Sequence, residues 1–134
     1  MALITDELSQ TDHAFAANRL LSTFAKDART LIEPYGTMVE LAVGETVLRR
    51  GDDVRASIFP VDTTMISMAV LIGGGRSIEV ASIGREGAVG GIVSCGHLPA
   101  FSRATVLVGG PALRVPMEAL EEAKRRSSFV SNLF

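Results

Sequence analysis

Between Thr37 and Val115 the chain is interrupted by glycine at short intervals, and this spacing restricts the available folds more than any other feature. Breaks fall at Gly44, Gly51, Gly73-Gly74-Gly75, the dense stretch Gly84 to Gly91, and Gly109-Gly110. Between them lie short β-branched and apolar runs. Val39 and Leu41 alternate with polar neighbours, and Thr46 to Arg50 follows as another short strand. Ser57 to Pro60 carries a proline of the kind confined to sheet edges. Thr64 to Ile72 is answered across the triple glycine by Ser77 to Ile83, the pattern of a hairpin whose turn needs positive φ. Thr105 to Val108 and Ala112 to Val115 are two more short strands around Gly109-Gly110-Pro111. Many short strands at regular spacing predict a small barrel, roll or jelly-roll.

The flanks have a different period. Thr11 and Asp12 are good N-cap residues. Phe15, Leu20, Leu21 and Phe24, then Ala28, Leu31, Ile32 and Tyr35, recur at helical spacing until Pro34 and Gly36. Met117 to Arg126 is rich in Glu, Ala, Leu and Lys, with cations at its C-terminal end. Its acids and bases read as a solvated face with i,i+4 pairs. Ser127 or Ser128 caps one more helical piece carrying Phe129, Val130, Leu133 and Phe134. The expected layout is one domain over 1–134: helical at about 13–36, β over 37–116, helical over 117–134.

Composition narrows the function. With 134 residues, 47% of them hydrophobic, a real core is within reach. A net charge of −2 with both signs interspersed argues against direct nucleic-acid binding by this chain. No apolar run is long enough to span a bilayer, and Met1 to Asp12 has no basic leader region. A single cysteine, Cys95, fits a reducing cytoplasm and excludes an internal disulfide.

The order of these segments resembles the sensor domain of the Crp/Fnr family of bacterial transcriptional regulators, which has the cyclic-nucleotide-binding-domain fold. The resemblance is carried by Asn18-Arg19-Leu20-Leu21, by Gly44 to Asp52, by Ile58-Phe59-Pro60 with Met65-Ile66-Ser67, by Glu79 to Gly87, and by Arg103-Ala104-Thr105. It covers nearly the whole chain, and the order of the fragments is its specific part. It implies a mainly β, double-stranded, jelly-roll-like β-roll flanked by N- and C-terminal helices. The implied role is effector sensing, with no catalysis; the alternative is a ligand-free interaction or dimerisation module of the same fold. The family's last helix forms dimers, so a homodimer through the C-terminal helix is expected. DNA contact would fall to a helix-turn-helix that this sequence does not contain.

In nucleotide-binding members, backbone N–H groups of a glycine-rich turn approach a cyclic phosphate. An arginine neutralises that phosphate, and a glutamate accepts from the ribose hydroxyl. The resemblance assigns Gly90 and Gly91 to the turn and Arg103, with Ala104 and Thr105, to the phosphate. Ile92 stands in the place of the glutamate, and no acid lies between Gly87 and Arg103. A hydrogen bond to a charged group is worth roughly 1.5–3 kcal/mol, or about one to two decades of affinity. Ordinary cyclic AMP binding is therefore not expected, and any small-molecule effector is of another kind.

Other chemistries lack residues. Gly84 to Gly91 has no Gly-Lys-Ser/Thr ending and is no P-loop. A cupin-type metal site needs converging histidines, and only His13 and His97 exist. No Gly-x-Ser-x-Gly elbow occurs. Cys95 and His97 offer a soft and a borderline metal ligand in the expected sensing loop. Two residues make an incomplete donor set, and Cys95 packing as a small hydrophobe is the simpler account.

Overall fold

The computed structural model of the chain describes residues 2–3, 7–49, 51–90 and 102–133. Its strands are β1 (Ala2–Leu3), β2 (Thr37–Leu41), β3 (Thr46–Leu48), β4 (Ala56–Pro60), β5 (Met65–Gly73), β6 (Arg76–Ile83), β7 (Arg103–Val108) and β8 (Gly110–Pro116). Its α-helices are α1 (Glu7–Ala17), α2 (Lys26–Ile32), α3 (Met117–Arg126) and α4 (Ser128–Leu133). The strands form two antiparallel sheets, ordered β1-β2-β8-β4 and β3-β7-β5-β6. Mostly β with flanking helices is the architecture expected from the glycine-punctuated pattern.

Why two layers form is visible in the alternation along β2, β4 and β8. Successive side chains in a strand point to opposite faces. Met38, Phe59, Leu113 and Val115 join one core with Phe15, Leu21, Phe24 and Ile32 of the N-terminal segment and Leu120, Ala123 and Val130 of α3 and α4. Their neighbours Val39, Ile58 and Ala112 turn the other way, into a second core with Ile66, Ala104 and Val106 of the other sheet. The first sheet is thus covered on both faces, by helices outside and by the second sheet inside. Each fully buried Leu, Ile or Phe contributes on the order of 1.5–3 kcal/mol. The second sheet has one covered face, so its outer residues are exposed or half-buried.

The triple glycine behaves as read: Gly73, Gly74 and Gly75 have φ of 98°, 60° and 75° and join β5 to β6. Pro60 ends β4, an edge strand, where a missing N–H breaks no ladder. Ser127 Oγ accepts from Val130 N at 3.3 Å and caps α4. On α3, Glu122 pairs with Arg125 and Arg126, the latter at 2.8 Å.

Two features differ from the sequence reading. Helix α1 starts at Glu7, so Thr11 and Asp12 lie inside it and cap nothing. Asp12 instead accepts from Arg29, which also pairs with Glu33 and sits 4.4 Å over the Phe15 ring. Tertiary partners outweigh the local preference of Asp for a cap. The chain also has a short first strand, β1, paired with β2 ahead of the expected helix.

The apolar stripe near the C-terminus is largely used within the chain. Val130 is fully buried, and Phe129 meets Phe24 edge-on at 5.3 Å between centroids.

Candidate functional site

The glycine-dense stretch is held by backbone and by one amide. Gly87 N donates to Gly84 O at 3.2 Å, closing a tight turn. Glu86 Oε1 accepts from Gly84 N at 3.0 Å, and this bond keeps the Glu86 carboxyl below its usual range. Asn18, fully buried at the end of α1, donates from Nδ2 to Pro60 O at 2.8 Å and to Gly87 O at 2.9 Å. Its Oδ1 accepts from Leu20 N and Leu21 N, both at 3.0 Å. One side chain thus ties the helical layer, strand β4 and the glycine turn together.

Beyond the turn the chain is clasped to β4. Val89 and Ile58 exchange two backbone hydrogen bonds of 2.8 Å. Ser57 Oγ donates to Gly90 O at 2.6 Å. Gly90 has φ of 90°, and a Cβ there would lie 2.7 Å from Ala56 O. No side chain fits at that point without moving backbone. Gly91 and Ile92, and with them Cys95 and His97, lie outside the described residues.

Arg103, which the resemblance assigns to the phosphate, opens β7. Arg103 pairs with Ala69 of β5, and Ala104 with Met68. Ala104 is fully buried in the core between the sheets, whereas Arg103 is exposed. Alternation along the strand therefore puts Arg103 and Thr105 on the outer face of the roll. There Arg103 lines a 310 Å³ cavity with Ala69, Leu71, Gly75 and Ser77. Thr105 is half-buried beside Ser67 and Thr46 on the same face.

A larger cavity was not foreseen from sequence. It measures 680 Å³ and opens between β3, at one edge of the second sheet, and β4, at one edge of the first. Arg49, Arg55 and Arg114 line it with Asp52 and Asp53. Arg114 sits opposite Ile58 and Thr37 in the register of the first sheet. It lies two residues from Ala112, so it faces the inner side. A sequence signal existed: β8 reads Gly-Pro-Ala-Leu-Arg-Val-Pro, and a lone charge in a strand apolar on both faces is unusual.

Among the described residues, no three His, Cys, Asp or Glu side chains are grouped so as to hold a metal ion. Nor is any described helix long and apolar enough to cross a membrane.

No family model matches this chain, and no curated protein matches it in sequence. Solved structures do match. The sensor domain of the transcriptional regulator DNR from Pseudomonas aeruginosa aligns over 92% of this chain and 86% of its own, at 10% identity and a TM-score of 0.69. The N-terminal domain of a transcriptional regulator from Streptomyces coelicolor aligns over 90% and 83%, at 17% identity and a TM-score of 0.69. The cAMP-bound PfPKA-R fragment aligns over 90% of this chain, at 10% identity and a TM-score of 0.74, but over only 44% of its own length. The fold is therefore the cyclic-nucleotide-binding-type β-roll that these sensor and regulator domains share.

Proposed function

We propose that this chain is the effector-sensing module of a Crp/Fnr-type transcriptional regulator and that it does not bind cyclic AMP in the usual way. The observation that carries the second half is the absence of any carboxylate between Gly87 and Arg103. A ribose hydroxyl at that turn would lose its charged acceptor. The outward direction of Arg103 supports the same reading, because a phosphate inside the roll would face Ala104 and not the guanidinium. The well-held turn supports a sensing role: Asn18 fixes the carbonyl of Gly87 and Ser57 that of Gly90, so the glycine stretch is anchored to the helical layer and to β4. In this reading DNA contact belongs to a helix-turn-helix that is not among these residues.

Calorimetry with cyclic AMP and cyclic GMP tests it. The expected result is no saturable heat at micromolar concentration and dissociation constants weaker than about 100 μM, from the one to two decades assigned to the missing acceptor. Low-micromolar, saturable binding of either nucleotide overturns it.

A second reading, a ligand-free interaction module, is favoured by the β5–β6 hairpin. Leu71, Ile72, Ile78 and Val80 are each about half exposed there, and clustered exposed apolar residues mark contact surfaces. Sedimentation at increasing concentration separates the readings. Self-association weakened by Ile78→Asp with Val80→Asp supports the interaction module, and a monomer throughout removes it.

A further inference from the structure

We infer that the 680 Å³ cavity between β3 and β4 is a binding site for a small organic oxyanion, a phosphate or carboxylate that also carries hydroxyl or ammonium donors. The inference rests on the geometry around Arg114 and is independent of how the glycine-dense stretch and Arg103 are read.

Arg114 is half-buried on the inner side of a strand whose neighbouring inner residue, Ala112, is fully buried. A guanidinium offers five N–H donors in a planar fork and stays charged. Taking it partly out of water without a partner is unfavourable. None of the ion pairs among the described residues involves Arg114, Arg55 or Arg49. Yet all three line one cavity. The acids nearest in sequence, Asp52 and Asp53, line the same cavity without pairing with them. Glu118 and Glu121 line the adjoining cavity beyond Arg55 and Arg114, and Glu121 is engaged by Lys124 at 3.9 Å.

The arrangement suits an anionic group on the arginine fork, since charge-assisted bidentate bonds are the strong ones. Asp52 and Asp53 remain as acceptors for donors elsewhere on the same ligand. Val47, Leu48 and Ile58 give an apolar wall. The size lies within the roughly 300–1,000 Å³ of small-molecule sites. A bare inorganic anion would use the arginines and leave the aspartates repelled. A ligand with both functions uses the whole cavity.

The test is amide chemical-shift mapping on the isotope-labelled full chain, titrated separately with inorganic phosphate, glucose 6-phosphate and succinate. Glucose 6-phosphate is expected to move Thr46–Leu48, Asp52–Ala56 and Arg114 saturably, and to bind at least tenfold more tightly than phosphate. Arg114→Gln should abolish these shifts while preserving a dispersed spectrum. Arg103→Gln should leave them unchanged. Should Arg114→Gln unfold the chain, Arg55→Gln reads the same loss from an exposed position. Absence of saturable shifts at these residues with all three probes, shifts confined to the surroundings of Arg103, or binding unaltered in a folded Arg114 or Arg55 variant would overturn the inference.

Discussion

Replacing Asn18 by alanine is expected to destabilise the chain by about 3–5 kcal/mol, lowering the denaturant midpoint without changing the slope of unfolding. The amide is fully buried and makes four hydrogen bonds, two as donor and two as acceptor. A buried donor or acceptor left unmet costs roughly 1–3 kcal/mol, and a lost side-chain bond about half as much. Alanine leaves Leu20 N, Leu21 N, Pro60 O and Gly87 O to find other partners inside the fold. Partial rescue by water sets the lower end of the range. Asn18→Asp is expected to be no better at neutral pH, although it is nearly the same size. Its carboxylate keeps the two acceptor bonds but turns an oxygen toward two carbonyl oxygens. Urea unfolding followed by circular dichroism measures both. A loss below about 1 kcal/mol for Asn18→Ala would show that the amide does not hold the turn.

Gly90→Ala is the second large effect, at roughly 2–4 kcal/mol. The φ of 90° costs a non-glycine residue about 1–2 kcal/mol. The added Cβ also falls 2.7 Å from Ala56 O and 3.2 Å from Val54 Cγ1. Ala56 belongs to β4, which is paired along its length with β8 and cannot retreat alone. The hairpin tip supplies the contrast. Gly74 also has positive φ, 60°, but nothing lies within 4 Å of a Cβ there, so Gly74→Ala should cost no more than about 1–2 kcal/mol. Parallel thermal melts of the two variants check the difference. Equal losses at both positions would mean that steric closeness to β4 contributes nothing.

These two positions also show what could be read from the sequence. Gly90 stood out because glycine density marks unusual backbone, and its φ confirms a turn that other residues avoid. Asn18 was noticed only as part of a resemblance. Its role depends on carbonyls 42 and 69 residues away, and no local pattern encodes such partners. The strand positions were legible for a simple reason: glycine breaks and alternating runs are local, and the strand ends follow them closely, whereas most pairings join strands far apart in the chain. The start of α1 was less so, because Asp12 serves a distant arginine and not its own helix end. Arg103 was legible as a residue but not as a direction. Only the pairing of Ala104 with Met68 fixes which face the arginine takes. Arg114 escaped notice because a single charge in an apolar run looks like an edge or a boundary until the strand on either side of it is known.

The aromatic contacts of the helical layer have a mechanical consequence. Phe129 of α4 rests on Phe24, and Phe24 rests on Phe15 of α1 at 6.3 Å. The same helix runs into Asn18, whose amide grips the carbonyl of Gly87. The terminal helix and the glycine turn therefore share one mounting. A contiguous run of packed rings and one amide thus leads from Phe129 to the carbonyl of Gly87.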